Sequence, residues 1–288
     1  VGNGSSELIA TLCTAFGGSG RPVAYPWPSF SMYPIYASMA DSPAIAIPLS
    51  PDFQLSVAKV LQTVEMSRPK LLMICNPNNP TGGLIPATDL RAILQGVSCP
   101  VLVDEAYQEY CGESCLPWLD EFPNLMVART FSKAFGLAAA RVGYVISSAK
   151  LSATIGKRIL PYMVNSYSLA AAEACLDCRE MIMPEVLRTA ARRDRMQRKL
   201  ALLPNVEAFP SATNFLLLRV KQADDLCKRL AARNIGVRNL SRAPDLEGCI
   251  RITVGAPAEN DQVLAGIREY DSIRSGDSEG SMQYGGRK

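Results

Sequence analysis

The chain has 288 residues, of which 48% are hydrophobic, and a formal net charge of +3. This length is sufficient for two domains with a large core. The balanced charge does not indicate a nucleic-acid partner, and no apolar run approaches the roughly 20 residues that span a bilayer. The sequence contains no histidine, which excludes Ser-His and Cys-His catalytic pairs and histidine-ligated metals.

The predicted elements begin with a helix, for which Ser5 or Ser6 is a suitable N-cap. Apolar residues repeat at helical spacing from there to Phe16. Farther along, short apolar runs alternate with helical segments, which predicts a mostly parallel sheet covered by helices. The predicted strands lie at 23–25, 44–49, 70–75, 100–104, 125–130 and 142–147, and a helix lies at 86–97.

The second half of the sequence predicts a smaller α/β domain. A long helical region, 169–203, is rich in Ala, Arg and Met, and it precedes a strand at 213–219, a helix at 224–234 and a strand at 249–254. The expected boundaries are a large domain over 1–165 and a small domain over 166–274. Residues 275–288 are polar and rich in Gly and Ser, which predicts a disordered tail.

Two segments near the middle of the chain contain side chains suited to pyridoxal 5′-phosphate (PLP) chemistry. Asp104 ends a predicted strand, Tyr107 follows it, and Lys133 and Arg141 lie in the run 129–144. They offer a carboxylate for the pyridine nitrogen, a phenol for the ring hydroxyl, an amine for a Schiff base and a guanidinium for the phosphate. Such groups belong beyond the carboxyl ends of parallel strands. The alternatives are that Lys133 is an ordinary surface lysine and that Asp104 is a turn residue at the end of a strand.

Four sequence blocks, in this order, resemble the fold-type I PLP-dependent aminotransferases of class I/II, and most closely those acting on histidinol phosphate: residues 2–9, 76–82, 104–141 and 251–255. The resemblance implies an α/β three-layer sandwich with a mostly parallel sheet plus a smaller C-terminal α/β domain. It also implies a cytoplasmic homodimer that transfers an amino group between L-histidinol phosphate and 2-oxoglutarate in histidine biosynthesis.

Several alternatives remain open within this resemblance. A threonine-phosphate decarboxylase or an aromatic amino acid aminotransferase belongs to the same group. In the family, the block at 2–9 lies well inside the large domain, so the resemblance implies that an N-terminal segment is missing. An inactive remnant and an organellar location therefore also remain possible.

The resemblance also assigns roles residue by residue, with Lys133, Asp104 and Tyr107 as the catalytic group. Glu105 is less suited than Asp104 to the ring nitrogen, because the family contact is at the first acid of the pair. The family often has an acid where Ser6 stands. The expected cofactor site comprises Ser5, Ser6, Glu7, Phe30, Asn79, Asp104, Tyr107, Thr130, Ser132, Lys133 and Arg141, and the expected substrate site comprises Asn165, Arg238 and Arg251.

Some of these residues have ordinary structural alternatives. Phe30 also suits a core position, and Arg238 also suits the surface. Arg251 interrupts an apolar strand, where an arginine requires an anionic partner. A lone C-x-x-C, Cys175 to Cys178, has no second pair, so the sequence predicts no metal site. The scattered cysteines indicate a reducing compartment.

Overall fold

The computed structural model describes the backbone of residues 1–282 and the side chains of residues 1–275. The chain forms two compact units. Unit 1 contains Val1–Asn79 and Gly83–Leu187, and unit 2 contains Pro80–Gly82 and the chain from Arg188 onward. No helix of residues 1–282 is both long and apolar enough to cross a membrane.

Unit 1 is built on a seven-stranded sheet in the order β1-β7-β6-β5-β4-β2-β3. The five strands β2 to β6 pair in parallel, while β7 and β1 are antiparallel to their neighbours. The central strands are continuous apolar runs because both faces of the sheet are covered. The strands are β1 (Gly2–Asn3), β2 (Val23–Trp27), β3 (Ala44–Pro48), β4 (Leu71–Cys75), β5 (Val101–Asp104), β6 (Leu125–Thr130) and β7 (Val142–Ser147).

Helices cover both faces of this sheet, which confirms the predicted α/β layers. One face packs an apolar cluster that includes Leu12 and Tyr33, and the other packs a cluster that includes Val60 and Ile93. The helices of unit 1 are α1 (Ser5–Phe16), α2 (Met32–Met39), α3 (Val57–Ser67), α4 (Ala87–Gly96), α5 (Ala149–Gly156) and α6 (Ser166–Asp177), followed by α7 (Arg179–Leu200), which continues into unit 2.

The boundary between the units lies farther along the chain than the sequence predicted. The expected boundary at residue 165 would place α6 in the small domain, but α6 belongs to unit 1. Its Ala172 packs against Phe131 and Val142, beside the loop that follows β6. The predicted helical region at 169–203 consists of two helices, which end and begin on either side of Cys178.

Unit 2 is a smaller α/β unit with a four-stranded antiparallel sheet in the order β10-β11-β9-β8. Its core includes Met196, Leu216, Ile250 and Ile267. The elements after α7 are β8 (Glu207–Ala208), β9 (Phe215–Arg219), α8 (Ala223–Ala231), β10 (Arg238–Asn239), β11 (Cys249–Thr253) and α9 (Pro257–Met282).

The C-terminal helix corrects part of the tail prediction. The expected disordered tail began at residue 275, yet α9 continues to Met282; residues 283–288 lie outside the described residues. Val263, Ile267 and Tyr270 anchor the earlier turns of α9 in the core of unit 2. Once a helix is nucleated, each further residue adds one hydrogen bond without a new nucleation cost, so the helix extends into the polar sequence.

Candidate active site

A cavity of unit 1 lies at the carboxyl ends of β4, β5 and β6. It contains every residue of the predicted cofactor site except Glu7, together with Cys75 and Ala106, which the sequence did not single out. Asp104 ends β5, in register with Cys75, the last residue of β4, and with Ala128 of β6. The lining residues are Ser5, Ser6, Phe30, Cys75, Asn79, Asp104, Ala106, Tyr107, Thr130, Ser132, Lys133 and Arg141.

Asp104 is a buried carboxylate in the wall of this cavity, with 3% of its surface exposed. The Tyr33 hydroxyl donates to its Oδ2 at 3.2 Å, and the Ala106 backbone N–H donates to its Oδ1 at 3.2 Å. Burial raises the pKa of Asp104 from 3.8 to about 6, against the lowering effect of these hydrogen bonds and of the Lys133 charge. A carboxylate in this environment is stabilised by a cationic partner.

Lys133 and Tyr107 line the same cavity. The Lys133 side chain is solvent-exposed, and its Nζ lies 5.3 Å from the centroid of the buried Tyr107 ring. The amine therefore lies within range of a cation–π contact. Lys133 follows β6 directly, in the loop where Thr130 accepts a hydrogen bond from the Ser132 backbone N–H at 3.1 Å.

The N-terminus of α1 forms another part of the cavity wall, through Ser5 and Ser6. Gly4 precedes the helix with a positive φ of 83°, and no side chain caps the helix N-terminus there. A Cβ on Gly4 would lie 2.4 Å from Arg141 Nη2, and a Cβ on Gly143 would lie 2.3 Å from the Ser5 nitrogen. Glycine at position 4 lets Arg141 approach the helix terminus, and glycine at position 143 lets β7 pack against it. Helix N-termini bind anions.

Glu7 is the member of the expected cofactor site that does not line this cavity. Its carboxylate accepts a hydrogen bond from the Asn3 backbone N–H. The interaction turns the carboxylate back toward the strand that precedes α1, where it is favourably placed against the positive end of the helix dipole.

The asparagines of the 76–82 turn have separate roles. The Asn76 side chain accepts from the Ile85 N–H at 2.8 Å. Asn78 accepts from the Ser29 hydroxyl at 2.6 Å and donates to the Pro28 carbonyl at 3.0 Å. These two side chains hold the turn, and Asn79 lines the cavity.

Glu105 and Arg129 form a buried ion pair that was not predicted from the sequence. Glu105 is 2% exposed and accepts from Arg129 Nε at 2.8 Å, from the Ser114 hydroxyl at 2.8 Å and from the Cys115 N–H at 2.7 Å. Arg129 also donates to Gln108 Oε1 at 2.8 Å. The pair ties the end of β5 to the end of β6, the two strands that lead to Asp104 and Lys133. The sequence signal for this pair was the presence of charged residues within or next to apolar strands, where a charge needs a partner.

This ion pair provides a stability prediction. Arg129→Met should lower the free energy of unfolding by about 3 kcal/mol, because it leaves the Glu105 carboxylate buried without its counter-charge. Arg91→Met removes a more exposed pair with Glu121, whose side chains are 36% and 49% exposed, and should cost about 1 kcal/mol or less. Urea denaturation at pH 7 measures both. Equal losses would show that the buried network contributes no more than a surface pair.

The predicted substrate residues lie outside this cavity lining. Arg238 is exposed on β10, directly opposite Arg251 on the antiparallel strand β11 in unit 2. The Arg251 guanidinium lies over the Phe215 ring, 4.8 Å from its centroid. Asn165 accepts from the Ser168 N–H at 2.9 Å and caps α6, an ordinary structural role that the sequence had not indicated.

Known proteins are similar to this chain in sequence and in fold. Residues 1–267 match the family described as Aminotransferase class I and II. Over 269 residues the chain is 39% identical to a histidinol-phosphate aminotransferase of Caldanaerobacter subterraneus subsp. tengcongensis, covering 93% of this chain and 76% of the relative.

Solved structures are similar over comparable shares of the chain. Histidinol-phosphate aminotransferase from Sinorhizobium meliloti in complex with pyridoxal-5′-phosphate has a TM-score of 0.85 and 28% identity, with 94% of this chain and 76% of that chain covered. L-threonine-O-3-phosphate decarboxylase from Porphyromonas gingivalis has a TM-score of 0.81 and 25% identity, with 93% and 82% covered.

Proposed function

We infer the function of this chain from one premise: it belongs to the aminotransferase class I and II family, which confirms the family predicted from the four sequence blocks. Aminotransferases use an amino donor and a 2-oxo acid. We propose that this chain uses PLP to transfer an amino group between L-histidinol phosphate and 2-oxoglutarate. The 39% identity to a histidinol-phosphate aminotransferase supports the choice of donor.

The cavity carries this proposal because its groups match the parts of PLP. The buried Asp104 carboxylate suits a protonated ring nitrogen, and Tyr107 and Asn79 suit the ring hydroxyl. The N-terminus of α1 and Arg141 suit the phosphate, because they present N–H donors and positive charge together. When bound, PLP acts as an electron sink that withdraws charge from the substrate α-carbon.

The residues of the chain have distinct tasks in this proposal. Asp104 would keep the ring nitrogen charged, and Phe30 would bound the site beside the ring. Lys133 would hold the cofactor through its amine. When that amine is free, it would take a proton from the substrate α-carbon as general base and deliver one as general acid. Ser5, Ser6, Thr130, Ser132 and Arg141 would bind the phosphate.

The direct test is a coupled assay on the purified chain with PLP, L-histidinol phosphate and 2-oxoglutarate. Formation of glutamate in proportion to donor consumed supports the proposal. Release of carbon dioxide from L-threonine O-3-phosphate without glutamate formation would instead assign the decarboxylase reaction of the same structural group. A cofactor-binding chain with neither activity would overturn the assigned substrate.

The arginine pair in unit 2 provides a prediction about the substrate. Two guanidinium groups directly opposite each other on neighbouring strands repel, and an anionic ligand would offset this repulsion. We propose that Arg238 binds the donor phosphate, while Arg251 binds the acceptor carboxylate. Loss of a charged hydrogen bond that becomes desolvated on binding costs about 2–5 kcal/mol. Arg238 is exposed before substrate binds, so the lower end of this range applies, and Arg238→Ala should lower kcat/KM for L-histidinol phosphate by roughly 30-fold.

The unphosphorylated donor L-histidinol provides the comparison for Arg238→Ala, and its kcat/KM should change less than about threefold. Arg268→Ala, which removes an exposed arginine of α9, controls for the loss of one positive charge from unit 2. Arg251→Ala should impair the glutamate and 2-oxoglutarate half-reaction more. Equal losses with both donors after Arg238→Ala would contradict the phosphate role.

Two further parts of the proposal concern the protein in its host. A homodimer and a cytoplasmic location follow from the family resemblance. Sedimentation velocity on the purified chain measures the oligomeric state. A monomer at the concentrations where the enzyme turns over would contradict the dimer.

A further inference from the structure

Tyr33 is a buried residue of α2 that directly contacts Asp104. None of its surface is exposed, and its hydroxyl donates to Asp104 Oδ2 at 3.2 Å. The function proposed above gives Asp104 a role at the ring nitrogen but gives Tyr33 none. Because the contact joins residues 71 positions apart, it depends on the fold and not on a local turn.

We propose that Tyr33 is a positioning residue for the cofactor ring, which acts by keeping the Asp104 carboxylate charged and correctly oriented. The inference rests on the proposed function, because it presumes that Asp104 faces a protonated ring nitrogen. Tyr33 contacts Asp104 and acts through it, so its effect should depend on whether the bound ring has a nitrogen to protonate.

Packing fixes the Tyr33 hydroxyl in place. Its ring lies edge-on to Phe30, with centroids 5.5 Å apart and an interplanar angle of 89°, and 6.0 Å from the Tyr25 ring. Phe30 itself lines the cavity. The aromatic cluster therefore sets the direction from which the hydroxyl meets the carboxylate, while the Ala106 N–H holds the other oxygen at 3.2 Å.

The groups that face Asp104 come from several elements. Tyr33 lies on α2, Cys75 ends β4, Glu105 follows on the same chain segment and Lys133 lies in the loop after β6. Burial and the Asp104 charge raise the pKa of Tyr33 well above its usual value, so the hydroxyl keeps its proton. Burial also raises the pKa of the Cys75 thiol, so this side chain stays neutral. Glu105 is held by Arg129.

The Tyr33 hydroxyl accordingly acts as a donor across the working pH range, and a donor favours the charged carboxylate. Tyr33→Phe keeps the ring and its packing but removes this hydrogen bond. The pKa of Asp104 should then rise by about one unit, the effect of one hydrogen bond to an ionised group. A neutral carboxyl cannot balance a protonated ring nitrogen. As pH falls, Tyr33→Phe should therefore lose affinity for PLP at a higher pH than the wild type does.

The experiment measures the Kd of PLP between pH 5 and pH 8 for the wild type, Tyr33→Phe and Tyr36→Phe. Tyr36 is a buried tyrosine of the same helix, 7% exposed, and provides the matched control. With the Asp104 pKa at about 6 in the wild type and about one unit higher in Tyr33→Phe, this variant should bind PLP about fivefold more weakly at pH 6. The two should agree at pH 8, and Tyr36→Phe should follow the wild type throughout.

A cofactor analogue separates positioning from a structural role. The 5′-phosphate of 1-deazapyridoxal lacks the ring nitrogen, so Tyr33→Phe should not weaken its binding at pH 6. In the Asp104→Asn background, Tyr33→Phe should change the Kd of PLP by less than about twofold at every pH. Unchanged pH dependence in Tyr33→Phe, or equal weakening of PLP and the analogue, would overturn the proposal. Failure of the wild type to bind PLP would overturn the proposed function itself.

Discussion

Replacing Lys133 with alanine is expected to lower turnover by roughly 10⁴-fold, the upper range for a single general acid–base group. The variant loses the amine that moves the proton at the substrate α-carbon and the covalent attachment to the cofactor. Asp104 and Tyr107, which share the cavity, are assigned to the ring and cannot replace an amine. The phosphate end of the cavity is unchanged, so the variant should still bind PLP noncovalently.

The covalent attachment is testable without turnover. Borohydride reduction of the PLP-bound protein should leave a pyridoxyl group on Lys133. Trypsin does not cleave after a modified lysine, so the label should appear on the peptide 130–141, which begins after Arg129 and ends at Arg141. Lys150→Ala, which removes an exposed lysine at the start of α5, should be labelled and active like the wild type. A label on another lysine would sink the assignment.

Strands β2 to β7 of unit 1 were predictable because they are compact apolar runs that end at turn-forming or polar residues, whereas the two-residue β1 has no such pattern. Leu71–Cys75 is wholly buried and ends at Asn76 and Pro77, and Val101–Asp104 ends at a carboxylate. Helix α2 was not predicted from the sequence, and it contains a proline. In the structure Pro34 lies in the first turn of Met32–Met39, where a missing N–H carries no cost.

The candidate site was predictable where a residue has distinctive chemistry and lies at or soon after the end of a strand, as Asp104 and Lys133 do. Contacts between distant residues were not predictable from spacing. Tyr33 reaches Asp104 across 71 positions and Arg129 reaches Glu105 across 24. Glu7 was assigned from its place beside Ser5 and Ser6, but the direction of a side chain in the first turn depends on its neighbours, here the Asn3 N–H.

Asp104→Asn is expected to lower transamination by about 10²–10³-fold, the effect of losing one preorganised electrostatic group. An amide does not balance a protonated ring nitrogen as a carboxylate does, so the cofactor withdraws electrons less effectively. Phosphate contacts at Ser5, Ser6 and Arg141 are untouched, so some PLP should remain bound. Activity within a few-fold of the wild type would show that Asp104 serves only the structure of the strand end.

The same substitution is expected to stabilise the protein without cofactor. Burial raises the pKa of Asp104 from 3.8 to about 6, so the folded chain binds more protons than the unfolded chain between these values. The buried carboxylate therefore lowers the free energy of unfolding as pH rises from 3.8 through 6. Above pH 6 this loss of stability reaches its maximum, about 3 kcal/mol. Asparagine carries no such cost, so Asp104→Asn should unfold at higher urea than the wild type at pH 8.

At pH 4, where the folded wild type already binds the proton at Asp104, the stability advantage of Asp104→Asn should disappear. Asp120→Asn removes an exposed carboxylate in the same unit and should change the unfolding free energy by less than about 0.5 kcal/mol at either pH. Greater stability at pH 8 together with lost activity would show that this carboxylate is kept for its function at a cost to the fold. Lower stability of Asp104→Asn at pH 8 would mean that the hydrogen bonds from Tyr33 and Ala106 outweigh the cost of burying the charge.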